Sequence, residues 1–305
     1  MTTMIVETAV LGRRLRYRAL DVRTPDGLKV AAQDWGGERA AGEITTESLA
    51  REPRRRDVLL VHGIGQSHLC WLKQVTSPLA TQCRFVTYDL RGHGGSDKPL
   101  TPDYYRDSQR WAQEVQAVIA AAGLVRPVIV AWSYGGRVTL DYLRHRGEGD
   151  VSGVVFAGAT SNSDPAVFGP AAPLLWKMAD ANGVEEERAA IDKFLRSCTA
   201  QPIPTAEYEL MLEYNLLVPP SVIRGMVGRP APYAHVLGAL SVPVLAIHGE
   251  QDPINLPAMA EYTAQACLNG KALIYEGVGH SPFWEAPERF NADLEAFVAG
   301  LPRNG

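Results

Sequence analysis

Three residues of this chain could together perform nucleophilic catalysis: Ser133, Asp252 and His280, in that order. A serine hydroxyl is a weak nucleophile near neutral pH. It acts when a histidine takes its proton and a carboxylate holds that histidine in the right tautomer. Ser133 lies in Pro127-Val-Ile-Val-Ala-Trp-Ser133-Tyr-Gly-Gly136. A short apolar run, a serine among small residues and a following helical pattern describe a nucleophile elbow. There a backbone with φ > 0 lifts the hydroxyl into the open, and strand and helix approach too closely for large neighbours. The small flanking positions are Ala131, Gly135 and Gly136; the first is Ala where Gly is commoner.

The other parts of such a site have candidates. Gly249-Glu-Gln-Asp252 follows the apolar run Val244–Ile247, and Gly277-Val-Gly-His280 follows the run ending at Tyr275. Both would leave the carboxyl ends of adjacent strands, where α/β sheets build their sites. A rival acid is Asp164, just after the preceding core strand. Upstream, Val58-Leu-Leu-Val-His-Gly-Ile64-Gly65 reads as a strand entering a glycine-containing turn. Its Ile64 N–H and the Tyr134 N–H are the expected oxyanion donors. The remaining histidines read as structural or surface residues. His62 is expected to hydrogen-bond the oxyanion turn, His93 to fix its own loop and His248 to close a strand end. His68, His145 and His235 fall on the surface or on the helical insertion described next.

These residues need a scaffold that brings distant loops to one edge. Arg16–Val22 and Leu28–Trp35 flank Thr24-Pro-Asp-Gly27 and read as an antiparallel hairpin. Residues 36–57 are polar, carry both signs of charge and read as a surface insertion. From Val58 onward the rhythm changes. Val58–Val61, Phe85–Tyr88, Val128–Val130, Val151–Ala157, Val244–Ile247 and Ala272–Tyr275 are buried-type strands. Helical patterns at Trp111–Ala122, Val138–Arg146, Ala258–Ala266 and Pro287–Leu301 intervene or follow. That alternation predicts a parallel sheet covered on both faces. Between Ala157 and Val244 it stops, and Pro170–Ala181, Glu185–Cys198, Thr205–Leu217 and Pro219–Val227 read as short helices. The expected organisation is a core of residues 1–160 and 241–305 with a helical lid over 161–240.

Composition narrows the class. The 305 residues are 46% hydrophobic and 21% charged, as in a soluble globular protein, with a net charge of −4. Nothing there pulls the chain toward nucleic acid or a membrane. Cys70, Cys83, Cys198 and Cys267 are scattered without metal-ligand spacing and read as free thiols. The first twenty residues lack the apolar stretch of a signal peptide, and no run reaches membrane-spanning length, so a cytoplasmic protein is expected.

Together the segments His62-Gly63, Tyr88-Asp-Leu-Arg-Gly-His-Gly-Gly-Ser-Asp97, Ser133-Tyr-Gly-Gly136, His248-Gly-Glu-Gln-Asp252 and Gly279-His280-Ser-Pro-Phe resemble the α/β-hydrolase fold, in its lid-bearing serine group. The resemblance spans about residues 22–300. It implies an eight-stranded, mostly parallel sheet with strand 2 antiparallel, helices on both faces, a lid after strand 6 and no cofactor or metal. It also implies a lid over Ser133, so some of Trp132, Trp176, Met178 and Tyr214 are expected to line an apolar acyl or aryl pocket. The expected activity is hydrolysis of a small carboxylic ester or lactone through an acyl-enzyme, as in esterases, enol-lactonases and haloperoxidase-like perhydrolases. Dehalogenases and epoxide hydrolases of this fold use an aspartate nucleophile, against which Ser133 argues. Carbon–carbon bond hydrolysis of aromatic ring-fission products uses the same triad, but Trp132 stands where those enzymes usually carry Asn. A ligand-binding protein of the same fold is the non-enzyme alternative. The expected partner is a small molecule, with the chain a monomer or homodimer.

Overall fold

The computed structural model describes residues 2–8, 13–36, 55–230 and 232–302. Most of the expected 36–57 insertion lies outside them. Nine strands form one sheet: β1 (Thr2–Thr8), β2 (Arg13–Arg23), β3 (Lys29–Asp34), β4 (Arg56–Val61), β5 (Cys83–Tyr88), β6 (Val128–Trp132), β7 (Gly153–Ala157), β8 (Val244–Gly249) and β9 (Gly270–Tyr275). Their spatial order is β1-β2-β3-β5-β4-β6-β7-β8-β9. From β5 to β9 every pairing is parallel, while β3 runs antiparallel to both neighbours.

Eight of these strands are the expected sheet with its antiparallel second member, and β1 is an addition. It pairs with β2 from Thr2↔Ala19 to Thr8↔Arg13 and extends that strand to Arg13. Its Thr-Thr-Met-Ile-Val-Glu-Thr sequence is strand-like, but only a neighbouring strand makes it one. The β2–β3 turn is the tight one expected: Gly27 has φ +86° and its N–H donates to Thr24 O at 2.9 Å.

Position in the sheet explains the apolar runs. β6, β7 and β8 are buried along their whole length, because helices cover both faces. β9 is mostly half-exposed. Its apolar sequence suggests a buried strand, but it lies at the sheet edge. The covering helices include Ser108–Ala122, Gly135–Arg146, Ala258–Ala266 and Pro287–Gly300. The first starts where the Asp107 carboxylate accepts from Gln109 N–H at 2.8 Å and stops at Gly123, whose φ is +61°.

Between β7 and β8 the chain forms helices at Leu174–Asp180, Val184–Ser197, Thr205–Leu216, Pro220–Met226 and Ala234–Ala239. The last was not anticipated. Because β4, β6, β7, β8 and β9 are parallel, the loops after their carboxyl ends share one edge of the sheet. Ile64, Ser133, Asp252 and His280 all lie on those loops.

Candidate active site

Ser133 adopts φ +52°, one of two positive-φ non-glycine residues among those described. Its N–H donates to Ala157 O at 3.2 Å, and its carbonyl accepts from Gly136 N–H at 3.0 Å and Thr160 N–H at 2.9 Å. These bonds hold a conformation that costs an L-residue roughly 1–2 kcal/mol. Close packing explains the small neighbours. A Cβ on Gly135 would lie 2.5 Å from Val61 O, and one on Gly136 would lie 2.9 Å from Ala159 Cβ. A Cβ on Gly63 would lie 2.9 Å from Ser133 Cβ, which places the glycine turn after β4, the candidate oxyanion turn, against the serine. Among the described residues, neither the Ile64 nor the Tyr134 N–H has a hydrogen-bond partner.

Two neutral histidines brace that turn. Gly65 N–H donates to His93 Nε2 at 3.0 Å, and His93 Nδ1 lies 3.0 Å from Arg91 O. Leu90 N–H donates to His62 Nε2 at 3.0 Å, and His62 Nδ1 lies 2.7 Å from Gly63 O. Each ring therefore accepts at Nε2 and donates from Nδ1. Burial lowers the pKa of His62 to about 4 and that of His93 to about 3. The unfolded chain protonates both near pH 6.5 while the folded chain does not, so their stabilisation is complete above that pH and is lost as pH falls toward 4 and 3. Urea unfolding between pH 6 and 4 should show stability falling by up to about 1.4 kcal/mol per pH unit for each ring. His93→Gln should remove about one ring's share of that slope; an unchanged slope would contradict the assignment.

The acid and the histidine meet under the sheet edge. Asp252 Oδ2 lies 2.7 Å from His280 Nδ1, and Oδ1 accepts from Ile254 N–H at 2.8 Å and Asn255 N–H at 3.0 Å. His248 Nε2 also approaches Asp252 Oδ2, at 2.9 Å, while lying 2.7 Å from Asn255 O. Burial alone would raise the Asp252 pKa; the charges and hydrogen bonds of His280 and His248 outweigh it and hold the carboxyl below its ordinary value. Asp164 is exposed, and its carboxylate caps Ala166 N–H at 2.9 Å. The geometry thus joins Asp252, not Asp164, to His280. His280 Nε2 is buried and has no partner among the described residues. Catalytic hydrogen bonds from such a nitrogen are often loose until substrate is bound.

Two further features have little signature in the sequence. Trp132 Nε1 donates to His280 O at 2.9 Å, so the residue before the serine ties down the histidine loop. Gly158, at φ +50°, leaves room for that loop, since a Cβ there would lie 2.8 Å from His280 O. A glycine at the carboxyl end of a core strand is the available signal for it.

Above Ser133 is a cavity of about 560 Å³, mostly apolar, with Ile64, Tyr134, Phe168, Leu175 and Trp176 in its wall. Of the expected pocket residues, Trp176 lines it and is 48% exposed. Trp132 instead packs below, against the His280 and Phe283 rings. Tyr214 is buried beside Cys70 and Trp132 around a much smaller void, and Met178 is buried without reaching the main cavity wall. The four cysteines are free and buried. Among the described residues no cluster of ligating side chains could hold a metal, and no helix is long and apolar enough to cross a membrane.

The arrangement of strand, elbow and buried acid–histidine pair has known counterparts. A family model described as "Alpha/beta hydrolase family" matches residues 58–293. The chain belongs to the alpha/beta hydrolase family. Its solved relatives include a candidate aryl esterase from Burkholderia cenocepacia, 30% identical, with 92% of this chain and 98% of that one covered at a TM-score of 0.83. An esterase from Rhodococcus sp. ECU1013 is 29% identical, with 94% and 99% covered at a TM-score of 0.82. A non-heme chloroperoxidase from Streptomyces lividans is 26% identical over 305 residues, covering 91% of this chain and 98% of that protein. With such relatives the chain is a hydrolase, and the esterases among them support ester hydrolysis in general.

Proposed function

We propose that this alpha/beta hydrolase is a serine carboxylesterase acting on small apolar or aromatic esters or lactones, with residues 161–240 as a lid over the site. The observation that carries the reading is the buried Asp252–His280 pair, tied through Trp132 to a serine on a left-handed elbow. His280 Nε2 takes the Ser133 proton as Oγ attacks the ester carbonyl. Asp252 holds the Nδ1–H tautomer and stabilises the imidazolium. The Ile64 and Tyr134 N–H groups receive the oxyanion. Collapse breaks the bond to the alcohol, which leaves with the proton from His280. Water then gives its proton to His280 and attacks the acyl-enzyme. The acid departs and Ser133 Oγ regains its proton.

The name of the chloroperoxidase relative is compatible with this site, because hydrogen peroxide could replace water in the second attack. A fluorophosphonate probe should label wild-type protein once, at Ser133, as read by peptide mass spectrometry. A folded sample that is not labelled would favour a ligand-binding role. Screening ester acyl lengths, lactones and a ring-fission product should show fastest turnover on esters; preference for the ring-fission product would favour carbon–carbon hydrolysis.

A further inference from the structure

Two arginines, Arg137 and Arg229, stand in the wall of the cavity that holds Ser133, and no carboxylate lines it among the described residues. Arg229 is matched. Its Nη2 meets Asp141 Oδ2 at 2.6 Å, its Nη1 donates to the Tyr134 hydroxyl at 2.9 Å, and its Nε donates to Arg106 O at 3.2 Å. The other Asp141 oxygen accepts from the Tyr233 hydroxyl at 2.7 Å. Arg137 has no carboxylate of its own: it is 8% exposed, donates from Nη1 to Arg229 O, lies 5.8 Å from the centre of the Tyr134 ring and forms no ion pair among the described residues, although its charge also reaches Asp141. Two guanidiniums therefore share one carboxylate, leaving an excess positive charge in an apolar wall.

The hydrogen bond Arg137 makes does not need that charge, and its contact with the Tyr134 ring offsets only part of the cost of burying it. The bond to Arg229 O ties the elbow helix to the segment after Pro220–Met226, and a neutral donor could make it. Keeping a buried cation without a counter-ion is costly, so an arriving anion would be strongly favoured. The distance to the chemistry is short. Arg137 follows Ser133 by about one helical turn. Tyr134 spans the gap: its N–H adjoins the nucleophile and its hydroxyl touches Arg229.

We propose that Arg137 selects an ester bearing a carboxylate a few bonds from its carbonyl, such as the monoester of a short dicarboxylic acid. The proposal rests on the serine-esterase reading and adds a substrate class to it. The carboxylate could sit on the acyl side or on the alcohol side, and two probe pairs separate these cases. Monoethyl adipate is compared with ethyl hexanoate, and 6-acetoxyhexanoate with hexyl acetate, by kcat/KM from alcohol or acid release.

In at least one pair the anionic ester should be preferred by about tenfold or more. Arg137→Met should reduce that ratio toward one, and Arg137→Lys should keep part of it. Equal turnover within both pairs, or a preference that Arg137→Met leaves intact, overturns the inference while the esterase reading stands. If Arg137→Met does not fold, the wild-type ratios and Arg137→Lys decide. Should no ester be cleaved and Ser133 not be labelled, the esterase reading fails instead. Calorimetric titration with adipate then reads the anion site alone: binding lost in Arg137→Met supports it, and no binding by wild type overturns it.

Discussion

Ser133→Ala is expected to lower kcat on any cleaved ester by about four to six orders of magnitude, because nothing else at the elbow can form the acyl-enzyme. The residual rate should reflect oxyanion binding and positioning alone, roughly 10³–10⁴ over water. The left-handed backbone permits a companion test that separates chemistry from folding. Ser133 holds φ +52° through bonds to Ala157, Gly136 and Thr160. Ser133→Gly keeps those backbone groups and removes the Cβ that makes the conformation unfavourable. It should be as inactive as the alanine variant yet more stable by about 1 kcal/mol, less the extra backbone entropy glycine brings to the unfolded chain. Steady-state kinetics and urea denaturation of both variants check this. Activity of Ser133→Ala within tenfold of wild type would end the nucleophile assignment.

Asp252→Asn should cost about 10⁴ in kcat while Asp164→Asn stays within about twofold of wild type. In the asparagine variant, an amide facing His280 Nδ1 can favour the wrong tautomer, so Nε2 no longer accepts the serine proton. Asp164 caps Ala166 from an exposed position and touches none of the reacting groups. The Asp252 substitution also leaves His248 Nε2 without its carboxylate, at 2.9 Å in the native protein. Its unfolding free energy should therefore fall as well, by about 1–3 kcal/mol. Comparable losses from both substitutions would mean that the acid is shared or misassigned.

The candidates Ile64, Ser133 and Asp252 are legible because each follows a short apolar run of core-strand type. Val58–Val61, Val128–Trp132 and Val244–Gly249 are apolar and short, and parallel pairing puts their ends together. Chain order offers candidates for the acid and the histidine, but only the fold brings Asp252 rather than Asp164 to His280. β1 is not legible in the sequence because an edge strand is made by its neighbour, and the half-exposure of β9 is not, because edge position is a property of the whole sheet.

By itself, the sequence determined the strand–turn–helix around Ser133, the glycines at 63, 135 and 136, and the chain order of the candidates Ser133, Asp252 and His280. Those depend on local backbone conformation and on apolar runs, which neighbouring residues dictate. Tertiary structure alone decided what surrounds them. Trp176 lines the cavity while Met178 and Tyr214 do not, since a helix's apolar face is assigned by what it packs against. Arg137 lacks an ion pair because the nearby Asp141 is bonded by Arg229, 88 residues further on. Electrostatic balance is a sum over spatial neighbours, and the fold chooses those.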